Sequence, residues 1–231
     1  ALRDGRAIPP LPTIIVANEF IDTLAVDQWE RKDGAWRVRE IGLNAQGELS
    51  FVATAVDPEL SMIALPASLA AMQEDGSVFE ASAARAEFFS SVIGRRNTMG
   101  PIAALFLDYG HRASSFGDTV QAVREQRHVS IFYAPGESDL SANVDFEHAM
   151  ACCAHFSAVD GPMTQSDFLS GLGITERATR LMKANPDKAN MIETSVARLM
   201  APGGMGTRFK VFAARSRGLP PLPVLSRAGL A

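Results

Sequence analysis

Ile14-Ile15-Val16-Ala17-Asn18-Glu19-Phe20-Ile21-Asp22 is the stretch that decides the fold. An apolar run from Ile14 to Ala17 ends abruptly in polar side chains. A run of that kind, without polar alternation, reads as a parallel strand covered on both faces. A second run, Ala103-Ala104-Leu105-Phe106-Leu107-Asp108-Tyr109-Gly110-His111, has the same form. In an open α/β sheet, ligands collect at the carboxyl ends of the strands. Asn18, Glu19, Phe20 and Asp22 after one strand, and Asp108, Tyr109 and His111 at the end of the other, are therefore expected to border one shared site.

Upstream of this stretch, Pro9, Pro10 and Pro12 make residues 1–12 an extended lead-in. Downstream, residues 20–26 read as a turn of helix or a loop over the strand end. Residues 28–54 read as an antiparallel ribbon, because Asp33-Gly34 is a tight-turn signal and Trp36 to Ile41 alternates apolar with charged. Pro58 and Pro66 punctuate a linker. Phe79, Ala83, Ala86, Phe89 and Ile93 share a helical face, which predicts a helix over 77–95 leading into the strand 102–108. A helix between two strands of this kind supports a parallel crossover.

Residues 114–143 read as polar and irregular. Asp145 reads as the N-cap of a helix with Phe146, Ala149, Met150 and Cys153 inward. A short strand at 158–163, helices from 164, 175 and Pro186, and a strand at 208–214 complete the pattern. Gly203-Gly204-Met205-Gly206 lacks the lysine of a P-loop and the spacing of a dinucleotide fingerprint, so it reads as a turn before a strand. The chain thus divides into a main domain, residues 1–217, and an extended or disordered tail, 218–231.

The 231 residues are 47% hydrophobic and 21% charged, which supports a buried core. A net charge of −4 and a pI near 5.6 argue against a nucleic-acid backbone or an anionic membrane surface as partner. No apolar run approaches the roughly 20 residues that span a bilayer. The first residues lack the apolar core of a secretory signal, and with no initiator Met the chain is expected to be processed, trimmed or a fragment. Cys152 and Cys153 are adjacent in a predicted helix, where neighbours rarely bridge; they read as small packing residues in a reducing compartment. No spacing of Cys and His suggests a metal site.

Glu19 and Asp22 form the sharpest constellation. Paired carboxylates at a strand end can grip a guanidinium in a planar, charge-assisted contact. They can also keep charge localised on an attached nitrogen. A structural role for the pair, with Glu19 bridging and Asp22 solvated, is an equal alternative at this point. His111 is the only histidine retained as a site candidate.

Ala17 to Asp22, Asp108 to His111, Gly117 to Arg124, Pro135 to Phe146, Gly161 to Gln165, Phe168 to Ile174 and Met205 to Val211 together resemble the MidA family of S-adenosylmethionine-dependent methyltransferases. That family includes a mitochondrial assembly factor for respiratory complex I, a protein-arginine methyltransferase. The resemblance runs from about Ile14 to Arg215 in one order. It implies an α/β class I methyltransferase (Rossmann-like) sheet, with Ile14–Asn18 as its fourth strand, Ile102–Asp108 as its fifth and Arg208–Ala214 as a late antiparallel strand.

The resemblance also implies a protein substrate, S-adenosylmethionine as cofactor, and catalytic roles for Glu19, Asn18 and Asp22 in an acidic loop that grips the substrate guanidinium. Phe20, Asp108, Tyr109 and His111 would lie close to substrate or cofactor. The family's glycine-rich cofactor loop and ribose-binding acid lie upstream of the matching region. The chain therefore reads as the C-terminal portion of such a sheet carrying an inserted ribbon, with cofactor binding depending on the upstream half. Its inner sheet edge is expected to meet a partner chain or a second copy. The competing reading is a non-catalytic binding or assembly module whose contact surface is the ribbon. The cytoplasm is the expected compartment, or the mitochondrial matrix in a eukaryote.

Overall fold

The computed structural model describes residues 11–53 and 65–225. The Pro9–Pro10 lead-in, the Pro58 linker, Thr54 and residues 226–231 lie outside the described residues. The fold is built on a mixed sheet of strands β1 (Thr13–Asn18), β6 (Ile102–His111), β12 (Phe209–Arg215) and β11 (Ala158–Thr164), in that spatial order. β1 runs parallel to β6, with Thr13 opposite Ile102 and Asn18 opposite Leu107. β12 is antiparallel to β6 and places Phe212 opposite Phe106 and Lys210 opposite Asp108.

β6 is central because both its faces are covered. Ile102, Ala104 and Phe106 face one layer, where Phe106 stacks on Phe212 with ring centroids 4.8 Å apart. Phe88, Phe89 and Phe146 close round that pair, several in edge-to-face contact, the arrangement the ring quadrupoles favour. This layer comes from α1 (Ala83–Phe88), its continuation through a π-turn (Phe89–Gly94) into α2 (Arg95–Asn97), and α3 (Phe146–Ala154). Cys153 is buried in the same layer, which pushes its thiol pKa up, and neither cysteine is bridged. On the opposite face, Leu105, Leu107, Val211 and Ala213 pack against Phe168 of α4 (Gln165–Gly171) and against Leu222, Val224 and Leu225. Residues 219–225 therefore lie against the sheet.

β1 departs from expectation. The apolar run predicts cover on both faces, yet the side chains alternate between half-buried and exposed. Ile15 and Ala17 pack on the aromatic layer, whereas Ile14 is 82% and Val16 66% exposed. β1 is an edge strand among the described residues. Thr13 and Glu19 donate their amides to Pro101 and Leu107 of the β6 side, so the backbone groups of Ile14, Val16 and Asn18 point to the open edge. An apolar stripe and a row of unpaired peptide groups thus lie side by side.

The antiparallel region is larger than the ribbon expected at 28–54. β2 (Asp27–Lys32), β3 (Ala35–Leu43) and β4 (Leu49–Ala53) are joined by β5 (Val78–Ala81) into one sheet ordered β4-β3-β2-β5. Asp33 and Gly34 both have left-handed φ angles, 53° and 75°, as a two-residue hairpin turn demands. β5 occupies the start of the helix predicted over 77–95. The helix begins after Ser82, whose hydroxyl accepts the Arg85 amide at 3.0 Å. Trp36, Leu69 and Phe79 form the core of this second sheet.

Residues 114–143, read as irregular, hold a three-stranded sheet of β7 (Gln121–Arg124), β8 (Arg127–Val129) and β9 (Asp139–Ser141). The glycine turn before β12 is not a plain turn: it contains a short helix, α7 (Met205–Arg208). The helix predicted at Pro186 starts as a 3-10 turn, Pro186–Lys188, and continues as α6 (Ala189–Met200) behind α5 (Ile174–Ala184). Ile192, Val196, Leu199 and Met200 of α6 are turned inward but only half-buried. No helix among the described residues is long and apolar enough to cross a membrane.

Candidate functional site

The carboxyl ends of β1 and β6 meet, and Asp108 joins them. Its side chain is 0% exposed. One carboxylate oxygen accepts the amides of Ile21 at 2.9 Å and Asp22 at 3.2 Å; the other accepts the amide of Tyr109 at 3.0 Å. The first two amides begin a 3-10 turn, Ile21–Thr23, so Asp108 caps the loop that follows β1. Burial, with the charge of Asp22 nearby, raises the Asp108 pKa to about 7, against the pull of the three backbone donors.

Asp22 is fixed through its backbone. Its amide goes to Asp108, and its carbonyl accepts the Ala142 amide at 3.0 Å. The side chain is 5% exposed, and Oδ1 has no hydrogen-bond partner among the described residues. A buried acceptor left open is costly and needs an explanation. Tyr109 stands close by. Its hydroxyl donates to Ser141 Oγ at 2.6 Å and accepts from Gln121 Nε2 at 3.1 Å. Burial, aided by Asp22, raises its pKa.

Glu19 is placed differently. It is exposed, its φ of 48° lies in the left-handed region, and its Oε1 accepts from Asn18 Nδ2 at 3.2 Å. A glutamate in that region costs about 1 kcal/mol or more. Phe20, between the two acids, turns inward against Phe88, with centroids 5.1 Å apart. His111 sits one strand-end away, where its Nε2 lies 3.2 Å from Asn143 Nδ2. The structure therefore brings together Asp22, Asp108 and Tyr109. It leaves Asn18 and Glu19 on the open side of the same loop, Phe20 in the core and His111 apart.

Arg85 was not singled out from the sequence, yet it staples this region. It is buried, and its guanidinium donates to the carbonyls of Ile21 at 3.0 Å, Ala142 at 2.9 Å and Asn143 at 2.8 Å. Burial lowers its pKa, opposed by the charges of Asp108, Glu80, Asp22 and Asp145. Its spacing with Phe88, Phe89 and Val92 puts it on the inward stripe of the helix, and that was the signal available. Gly110 has an equally local reason. A Cβ there would lie 2.0 Å from the Val144 carbonyl oxygen, because β10 (Val144–Asp145) pairs with β6 at that point.

Residues 117–121 tie the second sheet to the site. The Gly117 amide donates to the Val78 carbonyl at 2.8 Å, Asp118 pairs with Arg39 at 2.8 Å, and the Thr119 amide donates to Glu80 at 2.8 Å. Between the loop after β1, the second sheet and residues 120–142 lies a cleft of about 270 Å³.

A sulfonium nucleoside cofactor needs a glycine-rich cradle and an acid for its ribose. Gly203, Gly204 and Gly206 supply no such cradle: a Cβ at Gly206 would lie 2.3 Å from the Met200 carbonyl oxygen, so that glycine serves close packing. Among the described residues these glycines therefore supply no cradle for such a group. No group of three or more His, Cys, Asp or Glu side chains among the described residues is placed to hold a metal ion.

Residues 2–162 match a family described as "Putative S-adenosyl-L-methionine-dependent methyltransferase". Among curated proteins, the chain is 28% identical over 208 residues to a Caenorhabditis elegans homolog of the mitochondrial protein arginine methyltransferase NDUFAF7, covering 89% of this chain and 48% of that protein. It is 30% identical over 204 residues to the Danio rerio mitochondrial protein arginine methyltransferase NDUFAF7, covering 87% and 46%. The chain thus spans about half the length of the curated relatives it matches. Among solved structures, a Burkholderia thailandensis protein crystallised with S-adenosyl-homocysteine superposes with a TM-score of 0.80 at 24% identity, over 94% of this chain and 57% of that one. A second structure from the same organism gives 0.80 at 24% identity, over 96% and 60%. These two carry the fold.

Proposed function

This chain belongs to the S-adenosyl-L-methionine-dependent methyltransferase family that it matches, and on that premise we propose that it forms the substrate-side portion of a class I, Rossmann-like protein methyltransferase acting on arginine. The observation that carries the reading is the pair of acids, Glu19 and Asp22, on one loop at the carboxyl end of β1, held there by Asp108. In this reading β1 and β6 are neighbouring inner strands of the complete sheet, and the antiparallel region at 27–53 is an insertion between them. Relatives named as protein arginine methyltransferases support the substrate class.

The chain's own residues perform binding and alignment. Glu19 accepts hydrogen bonds from the guanidinium on the open side of the loop, with Asn18 orienting its carboxylate, and the buried Asp22 adds its charge from behind. The negative charges stabilise the extra positive charge that develops as the guanidinium nitrogen takes the methyl group, and the exposed Glu19 carboxylate accepts the proton that this nitrogen then loses. Because Asp22 is fixed at both its amide and its carbonyl, little reorganisation accompanies binding. The cofactor contributes an electrophilic sulfonium methyl group. The names of the relatives support a mitochondrial compartment in a eukaryotic host, and a role in respiratory complex I assembly there is part of the proposal; in a bacterial host the compartment is the cytoplasm. The open edge of β1 meets a further strand of the complete sheet; residues 1–231 by themselves would offer that edge to a partner chain or a second copy.

Titration of S-adenosylmethionine into the natural full-length product that contains these residues tests the reading. Micromolar binding, with transfer to an arginine-containing protein, is expected; no binding contradicts it. A second reading is a non-catalytic assembly module. Capture of a protein partner that survives Glu19→Ala but fails when the 27–53 sheet is disrupted would support it.

A further inference from the structure

We infer that the cleft between the loop after β1 and the second sheet is a specificity pocket, which takes an apolar side chain of the substrate protein lying within a few residues of the target arginine. This rests on the methyl-transfer reading and goes beyond it: it says which arginines the site selects, and it gives the second sheet a role.

The walls are apolar. Leu24 and Val26 come from the segment after β1, Phe51 from β4, and Val120 and Leu140 from the segment that carries the small third sheet. The mouth is apolar too. Ile41 lies opposite Phe51 and Leu43 opposite Leu49 in the β3–β4 register, so all of them share one face. Ile41 is 60%, Leu43 65% and Leu140 52% exposed. Apolar side chains gathered at an open mouth mark a contact surface. The volume of the cleft, about 270 Å³, falls just below the roughly 300–1,000 Å³ of sites that enclose a drug-sized ligand, so it suits one large side chain better than a whole small molecule.

Polar groups that border the cleft are already committed. Arg39 pairs with Asp118 at 2.8 Å and lies over the Phe51 ring at 3.8 Å. Gln28 Nε2 donates to Glu80 at 2.7 Å and to Asp118 at 2.8 Å. The Ser141 hydroxyl accepts from Tyr109 at 2.6 Å. A polar occupant would shed water there without gaining partners, whereas an apolar one gains by leaving water. The surroundings of the cleft are acidic: Asp27 is exposed at its rim, and Glu19 is exposed on the same short segment, residues 19–26, that carries Leu24. That charge opposes an anion and favours a cationic residue next to the apolar one. A segment in which an arginine lies close to an apolar side chain satisfies both features, the arginine at Glu19 and its apolar neighbour in the cleft.

Methyl-resolved NMR on the full chain, titrated with the capped peptide acetyl-Phe-Gly-Arg-Gly-Phe-amide, tests this. Saturable shifts are expected at the methyls of Leu24, Val26, Ile41 and Leu140. The peptide with serine in place of both phenylalanines should bind at least tenfold more weakly, and the peptide with glutamate there more weakly still. Leu140→Trp fills the cleft from a half-exposed position and should abolish the shifts without lowering Tm; Ile41→Ser, at the mouth, should weaken binding at least threefold and keeps the proposal testable if Leu140→Trp fails to fold. In the natural full-length product with S-adenosylmethionine, KM should be at least tenfold lower for the phenylalanine peptide than for the serine peptide, with kcat within threefold, and Leu140→Trp should erase the difference. Equal binding of the serine peptide, tighter binding of the glutamate peptide, or shifts that miss the cleft overturns the pocket. Self-association of the chain that Ile41→Ser abolishes assigns this face to a second copy and also overturns it. Methylation of both arginine peptides with equal KM overturns the pocket while leaving the methyl-transfer reading intact; binding in the cleft with no methyl transfer by the natural product overturns that reading, and with it the pocket's role in selecting a substrate.

Discussion

The carboxylate of Asp108 accepts the backbone amide of Asp22 at 3.2 Å, across 86 residues of chain. One acid thus positions another: the strand-end aspartate of β6 is spent on holding the loop that carries Asp22. Asp108→Ala should therefore free the loop that carries both candidate acids. Hydrogen exchange of residues 19–23 should accelerate at least tenfold, while exchange in β12 changes little.

The same aspartate makes stability depend on pH. Folded, Asp108 keeps its proton up to about pH 7; unfolded, it releases it in the ordinary carboxylate range. Between those limits folding takes up a proton, so its contribution to stability is full at low pH and falls as pH rises towards 7. Asp108→Asn removes this dependence. Urea midpoints at pH 4.5 and 8 should show the variant gaining on the parent at the higher pH, by on the order of 1–3 kcal/mol. Parallel pH profiles would contradict the raised proton affinity.

Arg85 binds three carbonyls through one rigid fork. Truncation leaves buried acceptors without donors, so Arg85→Ala should cost roughly 3 kcal/mol in chemical denaturation. Lysine offers donors from a single point and cannot reproduce the fork. Arg85→Lys should recover less than half of the loss.

Glu19 separates structure from function. Glycine tolerates a φ of 48° without strain, so Glu19→Gly should stabilise the fold by about 0.5–1 kcal/mol in Tm or urea measurements. In the natural full-length product, Glu19→Gln should lower kcat by at least tenfold and change cofactor affinity by less than threefold. Equal losses in both would make Glu19 a structural residue.

Ile14 and Val16 face outward on an open strand edge, the arrangement that promotes strand pairing. Ile14→Lys with Val16→Lys should leave Tm within a few degrees of the parent and lower self-association in sedimentation velocity. Unchanged association would place the contact elsewhere.

The strands β1, β6 and β12 were legible because apolar runs flanked by polar residues leave few other readings. Which face of β1 is covered was not legible, since Ile14 and Val16 are as apolar as Ile15 and Ala17 and periodicity cannot distinguish them. β5 was hidden because Phe79 fits the helical spacing of Ala83, Ala86 and Phe89; the helix boundary lay in Ser82, a capping residue. The small sheet at 121–141 is made of strands of three or four residues, too short for alternation to register. At the site, the residue types near the strand ends were visible. The division of labour between them was not, because it depends on contacts such as Asp108 to Ile21 and Arg85 to Asn143, which join positions distant in sequence.

The central claim, that these residues form the substrate wall of a protein methyltransferase, is tested most directly by methyl transfer itself. The natural full-length product should be given S-adenosylmethionine carrying a labelled methyl group and an arginine-containing protein extract, with Asp22→Asn as the comparison. Label on arginine, reduced at least tenfold by Asp22→Asn while cofactor binding persists, is the predicted result. Cofactor binding with transfer undiminished in Asp22→Asn, or no transfer to arginine at all, would contradict it.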